Sequence, residues 1–518
     1  MQTLVIGGWF LDSVGSVRYR TVRPFRVFAM RILFAASEAT PFAKTGGLAD
    51  VVGALPKALA RLGHEVAVVL PRYRGMQRQP VLIRSLTIPM GSTLRFPGVV
   101  DGGKADRVQI FFIDEPQYFD RDQLYQTSAG DYPDNAARFA LFSRVVIELI
   151  KRLVRPDVLH CHDWQTALVP TLMRSLYQED PALEGLPVVL TVHNLGYQGM
   201  FPKSCLAELG LPESLFRIDA LEFWGQVNYL KGGFLFSDAI TTVSKTYAAE
   251  IQTEEYGYGL EGVIRSRSGS LTGILNGVDY TDWDPLLDRY IRSNYDSDSL
   301  EKKLICKRDL LESFGLPADD LGRPLVGVVS RLTRQKGLDL VADVADRLAR
   351  FDLQIVALGT GEPAYEEMFR EMARLYPNKI GVRIAYDNAL AHKIEAGADI
   401  FLMPSRYEPC GLNQIYSLKY GTIPVVRATG GLQDTIEPFD PATGQGTGFK
   451  FRKYSGQALL DCLALALNVY RDPRAWRQLQ LNAMSRDFSW QRSAEQYARL
   501  YESLRTARIV AASPSSNV

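Results

Sequence analysis

The sequence predicts an α/β protein built from two doubly wound parallel-sheet halves. Three observations predict it: apolar, buried-looking strands alternate with amphipathic helical stretches, the alternation occurs in two series, and a turn-rich segment separates them. At 518 residues the chain is long for one core, which makes two domains the expectation.

The first series opens at Met30 with RILFAAS, a glycine loop KTGGLAD, a helix over residues 51–62 ending at Gly63, and the strand EVAVVL, one βαβ crossover. Residues 84–103, rich in β-branched residues and glycine, read as a hairpin excursion. A strand at 109–114, a helix at 135–153, a strand at 158–161, a helix at 166–177, the strand VVLTVH, a helical stretch at 225–236 and the strand AITTVS complete this half. Residues 274–285, ILNGVDYTDWDP, carry turn residues and aromatics and read as the join.

A charged, partly helical segment then leads into PLVGVVS, a helix at 338–350, LQIVALG, a helix at 364–376, KIGVRIAY, a helix at 389–396 and DIFLMPS. After a loop holding Glu408 come a helix opening at Gly411, TIPVVRA and the glycine loop TGGLQDT. The helical stretch 489–506 follows the finished series and reads as packing back across the join. The predicted division is therefore 1–29 as an extension, disordered or misassigned; 30–277; 278–487; a returning helix at 488–507; and a disordered tail at 508–518.

Lys plus Arg number 59 and Asp plus Glu 58, a formal charge of +1, so no global field favours nucleic acid or an anionic membrane. The five cysteines are dispersed and odd in number, which suits a reducing compartment and argues against a disulfide framework or zinc cluster. No apolar run approaches the roughly 20 residues of a spanning helix, and a soluble protein is expected. The first 29 residues hold Arg18, Arg20, Arg23 and Arg26 against the single acid Asp12. They read as an organellar targeting peptide or, better, as an extended start with Met30 as the functional beginning.

Residues 400–421, IFLMPSRYEPCGLNQIYSLKYG, place Glu408 between an apolar strand and a helix N-terminus with its unpaired amides. A lone loop acid is usually just solvated. Here an earlier loop of the same half, RLTRQKG, offers Arg331, Arg334 and Lys336 after another strand, and both loops open at the C-terminal edge of one sheet, where such sheets bind ligands. A negatively charged, hydroxyl-bearing substrate is expected, with Arg331 and Lys336 on a diphosphate. Charge develops on the leaving group as a glycosyl to phosphate bond breaks, and fixed cations act chiefly in that transition state. GTGE at 359–362 and TGGLQDT at 429–435 add glycine-rich backbone to the same edge.

In the first half, KTGGLAD sets Lys44 beside Gly46 and Gly47, whose bare backbone permits close approach while the lysine supplies charge; a tight turn with an exposed lysine is an equal reading. The loop is neither a Walker loop nor a dinucleotide fingerprint, so NAD or ATP is not expected. In HCHDW, His160 and His162 share a strand face, but no partner set completes a metal shell. Asp163 either faces the space between the halves as an acceptor or caps the helix starting near Gln165. His193 and Asn194 end the next strand, either as core residues or as cleft lining. No GxSxG elbow or triad setting occurs.

KTGGLAD, HCHDW, TVHNLGYQG, ILNGVD, SRLTRQKG, PSRYEPCGLNQ and TGGLQDT stand in the order seen in bacterial glycogen synthases and plant starch synthases, which use ADP-glucose, and the chain resembles that family from Met30 to about Thr506. The resemblance implies a GT-B fold, two Rossmann-like domains facing across a deep cleft with the last helix returning to the first. It implies transfer of glucose from ADP-glucose to the non-reducing end of an α-1,4-glucan, glycogen or starch, with retention, in the cytoplasm or, with a transit peptide, a plastid. Neither metal nor cofactor is implied.

By position the resemblance puts Lys44, Gly46, Gly47 and Asp50 at the nucleotide sugar, Arg331 and Lys336 on the diphosphate, and Tyr386 near the adenine. Glu408 and the amides of Cys410, Gly411 and Leu412 would grip the glucose and phosphate. His193 and Asp163 would face the reacting sugar, with Asn194 a substrate-binding candidate beside them. The wider retaining GT-B group often carries a second glutamate eight positions after the first, where this chain has Tyr416. With no strong covalent nucleophile, front-face departure is favoured. The competing readings are a GT-B hydrolase or epimerase, a UDP-glucose-using transferase, and a non-catalytic glucan-binding relative.

Overall fold

Nearly uninterrupted apolar runs make strands that need cover on both faces, and the chain supplies helices for each. In the computed structural model, which describes residues 7–11, 17–21, 29–77, 80–127 and 130–512, the first half is a nine-stranded sheet. Its strands are Arg31–Ala35 (β1), Glu65–Pro71 (β2), Val81–Ile83 (β3), Gly98–Ala105 (β4), Val108–Asp114 (β5), Val158–His162 (β6), Val188–Val192 (β7), Ala239–Thr242 (β8) and Leu271–Gly273 (β9). They lie in the order β9-β8-β7-β6-β1-β2-β5-β4-β3. Pairing is parallel except at the β5–β4 and β4–β3 edge. Within the expected excursion Ile88–Met90 and Thr93–Arg95 form a separate antiparallel hairpin, and only its end, from Gly98, joins the main sheet. The chain passes from β1 to β2 on one side and resumes from β6 on the other, which puts the loops after β1 and β6 at the reversal of strand order.

Gly47–Arg61 (α1) covers this sheet with an apolar stripe that includes Leu48, Val51, Val52, Leu55 and Leu59, and Gly63 ends it at φ 97°. Residues 225–236 are not all helical. Gln226–Asn228 pairs back on Glu222–Phe223, and Asn228 then caps the helix Tyr229–Phe236 (α2) by accepting from the Lys231 amide. A short helix, Lys245–Glu250 (α3), follows β8.

The second half is a six-stranded, all-parallel sheet of Leu325–Val329 (β10), Gln354–Leu358 (β11), Ile380–Arg383 (β12), Ile400–Met403 (β13), Ile423–Arg427 (β14) and Phe449–Phe451 (β15). The order β12-β11-β10-β13-β14-β15 reverses between β10 and β13. The helix expected over 338–350 is two, Leu338–Asp343 and Ala345–Leu348, broken at Val344. Asn413–Lys419 (α4) follows the Glu408 loop. TGGLQDT is no loop: Gly430–Thr435 (α5) is helical.

The last helix, Trp490–Ala512 (α6), runs past the expected end because RIVAA is helix-compatible up to the vicinity of Pro514. It lies on the first half, where Trp490, Ala494, Tyr497 and Tyr501 share a core with Met30, Phe34 and Leu55. Burying each such ring stabilises by roughly 1.5–3 kcal/mol as an upper estimate. Tyr501 Oη lies 2.7 Å from His160 Nδ1, and Ser493 Oγ donates to the Leu275 carbonyl at 2.6 Å.

Of the first 29 residues, Gly7–Leu11 and Val17–Thr21 pair as an antiparallel hairpin. Residues 1–6, 12–16 and 22–28 of that extension, and residues 513–518 of the expected tail, lie outside the described residues. Among the described residues no helix is long and apolar enough to cross a membrane.

Candidate active site

Between the C-terminal ends of β10 and β13, at the reversal of strand order, lies a cavity of about 210 Å³ lined by Arg331, Lys336, Ser405, Glu408, Gly411 and Leu412 among others. The basic and acidic loops thus meet at one site. Lys336 Nζ donates to both carboxylate oxygens of Glu408, at 2.9 and 2.7 Å, and Ser405 Oγ donates to Oε2 at 2.9 Å. Glu408 is only 5% exposed, so its charge depends on these partners. A carboxylate offers about four acceptor positions. Three are used, leaving room for one more donor.

The Glu408 loop is held from behind by glycines. A side chain on Gly430 would begin 2.0 Å from the Glu408 carbonyl, and one on Gly431 would begin 1.9 Å from that of Cys410. The Gly431 amide donates to the Glu408 carbonyl at 3.0 Å. Gly337 likewise backs onto the Pro404 carbonyl, and Gly359 and Gly361 onto those of Ser330 and Leu332. TGGLQDT and GTGE therefore owe these glycines to loop against loop packing. Arg334 turns away, 4.0 Å from Asp339.

In the first half the loop after β1 is built around Glu38, which sequence reasoning missed. This buried carboxylate accepts from the Thr45 amide at 2.5 Å, Thr45 Oγ1 at 2.7 Å, the Gly46 amide at 3.3 Å and Tyr125 Oη at 2.7 Å. Lys44 pairs with Asp50 at 2.6 Å, and burial pushes the Asp50 carboxyl up despite that lysine. No protein atom lies within 4 Å of where side chains on Gly46 and Gly47 would begin.

Asp163, at φ 56°, caps no helix with its side chain. Its carboxylate accepts from the His193 amide at 2.7 Å and from the backbone of Asn194, tying the loops after β6 and β7 together. Burial pushes Asp163 up to about 7. His193 Nε2 lies 3.0 Å from His162 Nδ1, and burial pulls His193 down to about 3. His160 and His162 build a packed network: His160 bridges Thr191, at 2.6 Å, and Tyr501. Among the described residues no group of three or more His, Cys, Asp or Glu is arranged to hold a metal ion.

The halves touch through α3. Ser244 Oγ donates to the Pro409 carbonyl at 2.6 Å, Thr246 bonds Asp434, and Glu250 accepts from Thr429 Oγ1 at 2.8 Å and the Gly430 amide at 3.1 Å. Glu250 also escaped sequence reasoning, since a helical acid carries no local sign of a distant partner. Arg331, Lys336, Glu408, Gly411 and Leu412 line one cavity, beside which Cys410 is buried. Asp163, His193 and Asn194 form a second group, and Lys44, Gly46, Gly47 and Asp50 a third. Tyr386 is 82% exposed and does not line the cavity. Tyr416 is stacked on Trp283, ring centroids 4.0 Å apart, so the position of a second acid is used for packing at the join.

A family model described as the starch synthase catalytic domain matches residues 31–266, and one for group 1 glycosyl transferases matches 314–479. The glycogen synthase of Koribacter versatilis (strain Ellin345) is 57% identical over 481 residues, covering 92% of this chain and 99% of that protein. That of Thermotoga maritima is 47% identical over 484 residues, covering 91% and 98%. Among solved structures, the catalytic domain of starch synthase IV from Arabidopsis thaliana, bound to ADP and acarbose, is 35% identical with a TM-score of 0.84, covering 92% and 100%. Sucrose-phosphate synthase from Thermosynechococcus elongatus, at 18% identity and TM-score 0.59 over 92% and 100%, shares the fold. The chain belongs to the glycogen synthase family, glycosyltransferases of glycogen and starch synthesis with the GT-B fold.

Proposed function

We propose that the chain transfers glucose from ADP-glucose to the non-reducing end of an α-1,4-glucan with retention, using the residues gathered at the two strand-order reversals. The observation that carries this reading is the single cavity lined by Arg331, Lys336 and Glu408. Support for adenine comes from the ADP in the starch synthase IV structure.

In this mechanism the bond from C1 to the β-phosphate oxygen breaks, and its electrons go to an oxygen faced by Arg331 and Lys336. Glu408 fixes the Lys336 ammonium with two hydrogen bonds and keeps one acceptor position for a glucose hydroxyl, so the cation is in place before charge develops. The acceptor O4 attacks C1 from the face that ADP leaves, passing its proton to the departing phosphate oxygen. Asp163 holds the backbone of His193 and Asn194, and His193 stabilises positive character at C1 through its carbonyl or ring. Gly46 and Gly47, open on their side-chain side, let the first half approach the sugar diphosphate, with Lys44 adding charge.

We assign 30–277 to acceptor and catalysis, 278–487 to the nucleotide sugar and 488–507 to the returning helix, and place the enzyme in the cytoplasm. The two sheets support the division, and five free, buried cysteines suit a reducing compartment. Incubation with radiolabelled ADP-glucose or UDP-glucose, with and without glycogen, tests the proposal. Label should enter glycogen from ADP-glucose. Free glucose released without glycogen would assign a hydrolase, and preferred use of UDP-glucose would overturn the nucleotide assignment. A trapped glucosyl ester on an Asp or Glu would sink front-face departure.

A further inference from the structure

Trp224 is 82% exposed and sits at φ 51°, followed by Gly225 at φ 77°. The two residues form the tip of a hairpin in which Phe223 pairs with Gln226, and positive φ at both central positions is the type I′ turn. Asn or Gly is preferred at its first position, because a bulky side chain there crowds the backbone. An indole in that place is strained and solvated at once. Tyr258 repeats the arrangement on another loop, at φ 51° and 44% exposed, followed by Gly259 at φ 83°.

The two strained aromatics are neighbours. Trp224 Nε1 lies 3.5 Å from where a side chain on Gly259 would begin. Both loops are bolted to the segment after β7: Asn228 Nδ2 donates to Gln198 Oε1 at 2.7 Å, and Gln198 Nε2 donates to the Tyr258 carbonyl at 3.1 Å. The Tyr258 ring lies 5.9 Å from that of Tyr407, and Asn194 Oδ1, Tyr407 Oη and the Tyr258 ring all lie within 4 Å of where a side chain on Gly196 would begin. A continuous line of side chains thus runs from Asn194, next to His193, through Tyr407 and Tyr258 to Trp224.

We infer that Trp224 and Tyr258 form a stacking platform for sugar units of the acceptor glucan beyond the one that reacts. Flat aromatic faces cover the apolar faces of pyranose rings, while the indole N–H and phenol O–H remain for hydroxyls. A line continuous with Asn194 fits a linear oligosaccharide whose end lies in the cleft. The inference rests on the glucan-acceptor reading above.

The test compares the full chain with Trp224→Ala, Trp224→Phe and Trp224→Asn, using maltoheptaose and maltose as acceptors and isothermal titration with maltoheptaose. In Trp224→Ala the KM and Kd for maltoheptaose should rise about tenfold while the KM for ADP-glucose holds, and Phe should retain most of the binding. The loss should be far smaller with maltose, which is too short to reach. Trp224→Asn should raise Tm while weakening maltoheptaose binding, since it relieves the turn. Unchanged maltoheptaose binding in Trp224→Ala would overturn the platform and leave the transferase reading intact, as would a change confined to oligomeric state in size-exclusion chromatography. Failure of the unaltered protein to bind or extend maltoheptaose would overturn both.

Discussion

His162 Nδ1 lies 3.0 Å from His193 Nε2, while the other ring nitrogen of His162 is buried without a hydrogen-bond partner. One nitrogen of the pair must donate. A hydrogen on His162 Nε2 would be a buried N–H with nothing to receive it, which costs more than an unused lone pair. His162 therefore donates from Nδ1, and His193 accepts at Nε2 and carries its own hydrogen on Nδ1. Nitrogen-15 NMR of the ring nitrogens should find His193 as the neutral Nδ1–H tautomer, still neutral at pH 5, because burial pulls it down to about 3. An Nε2–H signal would reverse the assignment.

Asp163 links pH to this loop. Burial pushes its carboxyl up to about 7, so acidification protonates the group that receives the His193 and Asn194 amides. Activity should fall below about pH 7, and Asp163→Asn should be slower but flat through that region in a pH profile of kcat/KM. Because the folded value lies above the unfolded one, this group gives its stability at low pH. That contribution is lost as pH rises from about 4 to 7.

Removing Lys336 should cost turnover and stability together. Lys336→Ala is expected to lower kcat by about 10²-fold, the scale of one lost electrostatic donor. It also leaves Glu408 buried with Ser405 alone, a loss on the order of 3 kcal/mol in denaturant titration. Adding Glu408→Gln should restore most of the stability and none of the turnover. Near-normal turnover in the single variant would remove Lys336 from the site.

Two glycine substitutions should separate fold from ligand. Gly431→Ala drives a methyl to 1.9 Å from the Cys410 carbonyl and should lower stability by about 3 kcal/mol, read as a fall in Tm. Gly46 has an extended backbone that alanine tolerates and no protein neighbour within 4 Å. Gly46→Ala should keep Tm within about a degree or raise it, and raise the KM for ADP-glucose about tenfold.

The convergence of Lys336 and Glu408 was legible because each follows an apolar strand and the reversal rule makes β10 and β13 neighbours. Glu38 and Glu250 were not, since their partners are set by loop geometry and by the contact between halves. The stretch 225–236 was misread because Trp224 occupies a turn position that ordinarily announces itself with asparagine. TGGLQDT misled in another way: glycine demanded by a carbonyl behind it reads the same as glycine demanded by a ligand in front.

The docking of α6 on the first sheet has a consequence for how the chain is made. Residues 310–483 supply the second core from one continuous stretch, and it can close as soon as they leave the ribosome. The lobe translated first stays unsealed until Trp490, Tyr497 and Tyr501 arrive. Synthesis begins with the lobe that is finished last, and a nascent chain stalled before Trp490 would display an open apolar groove to chaperones.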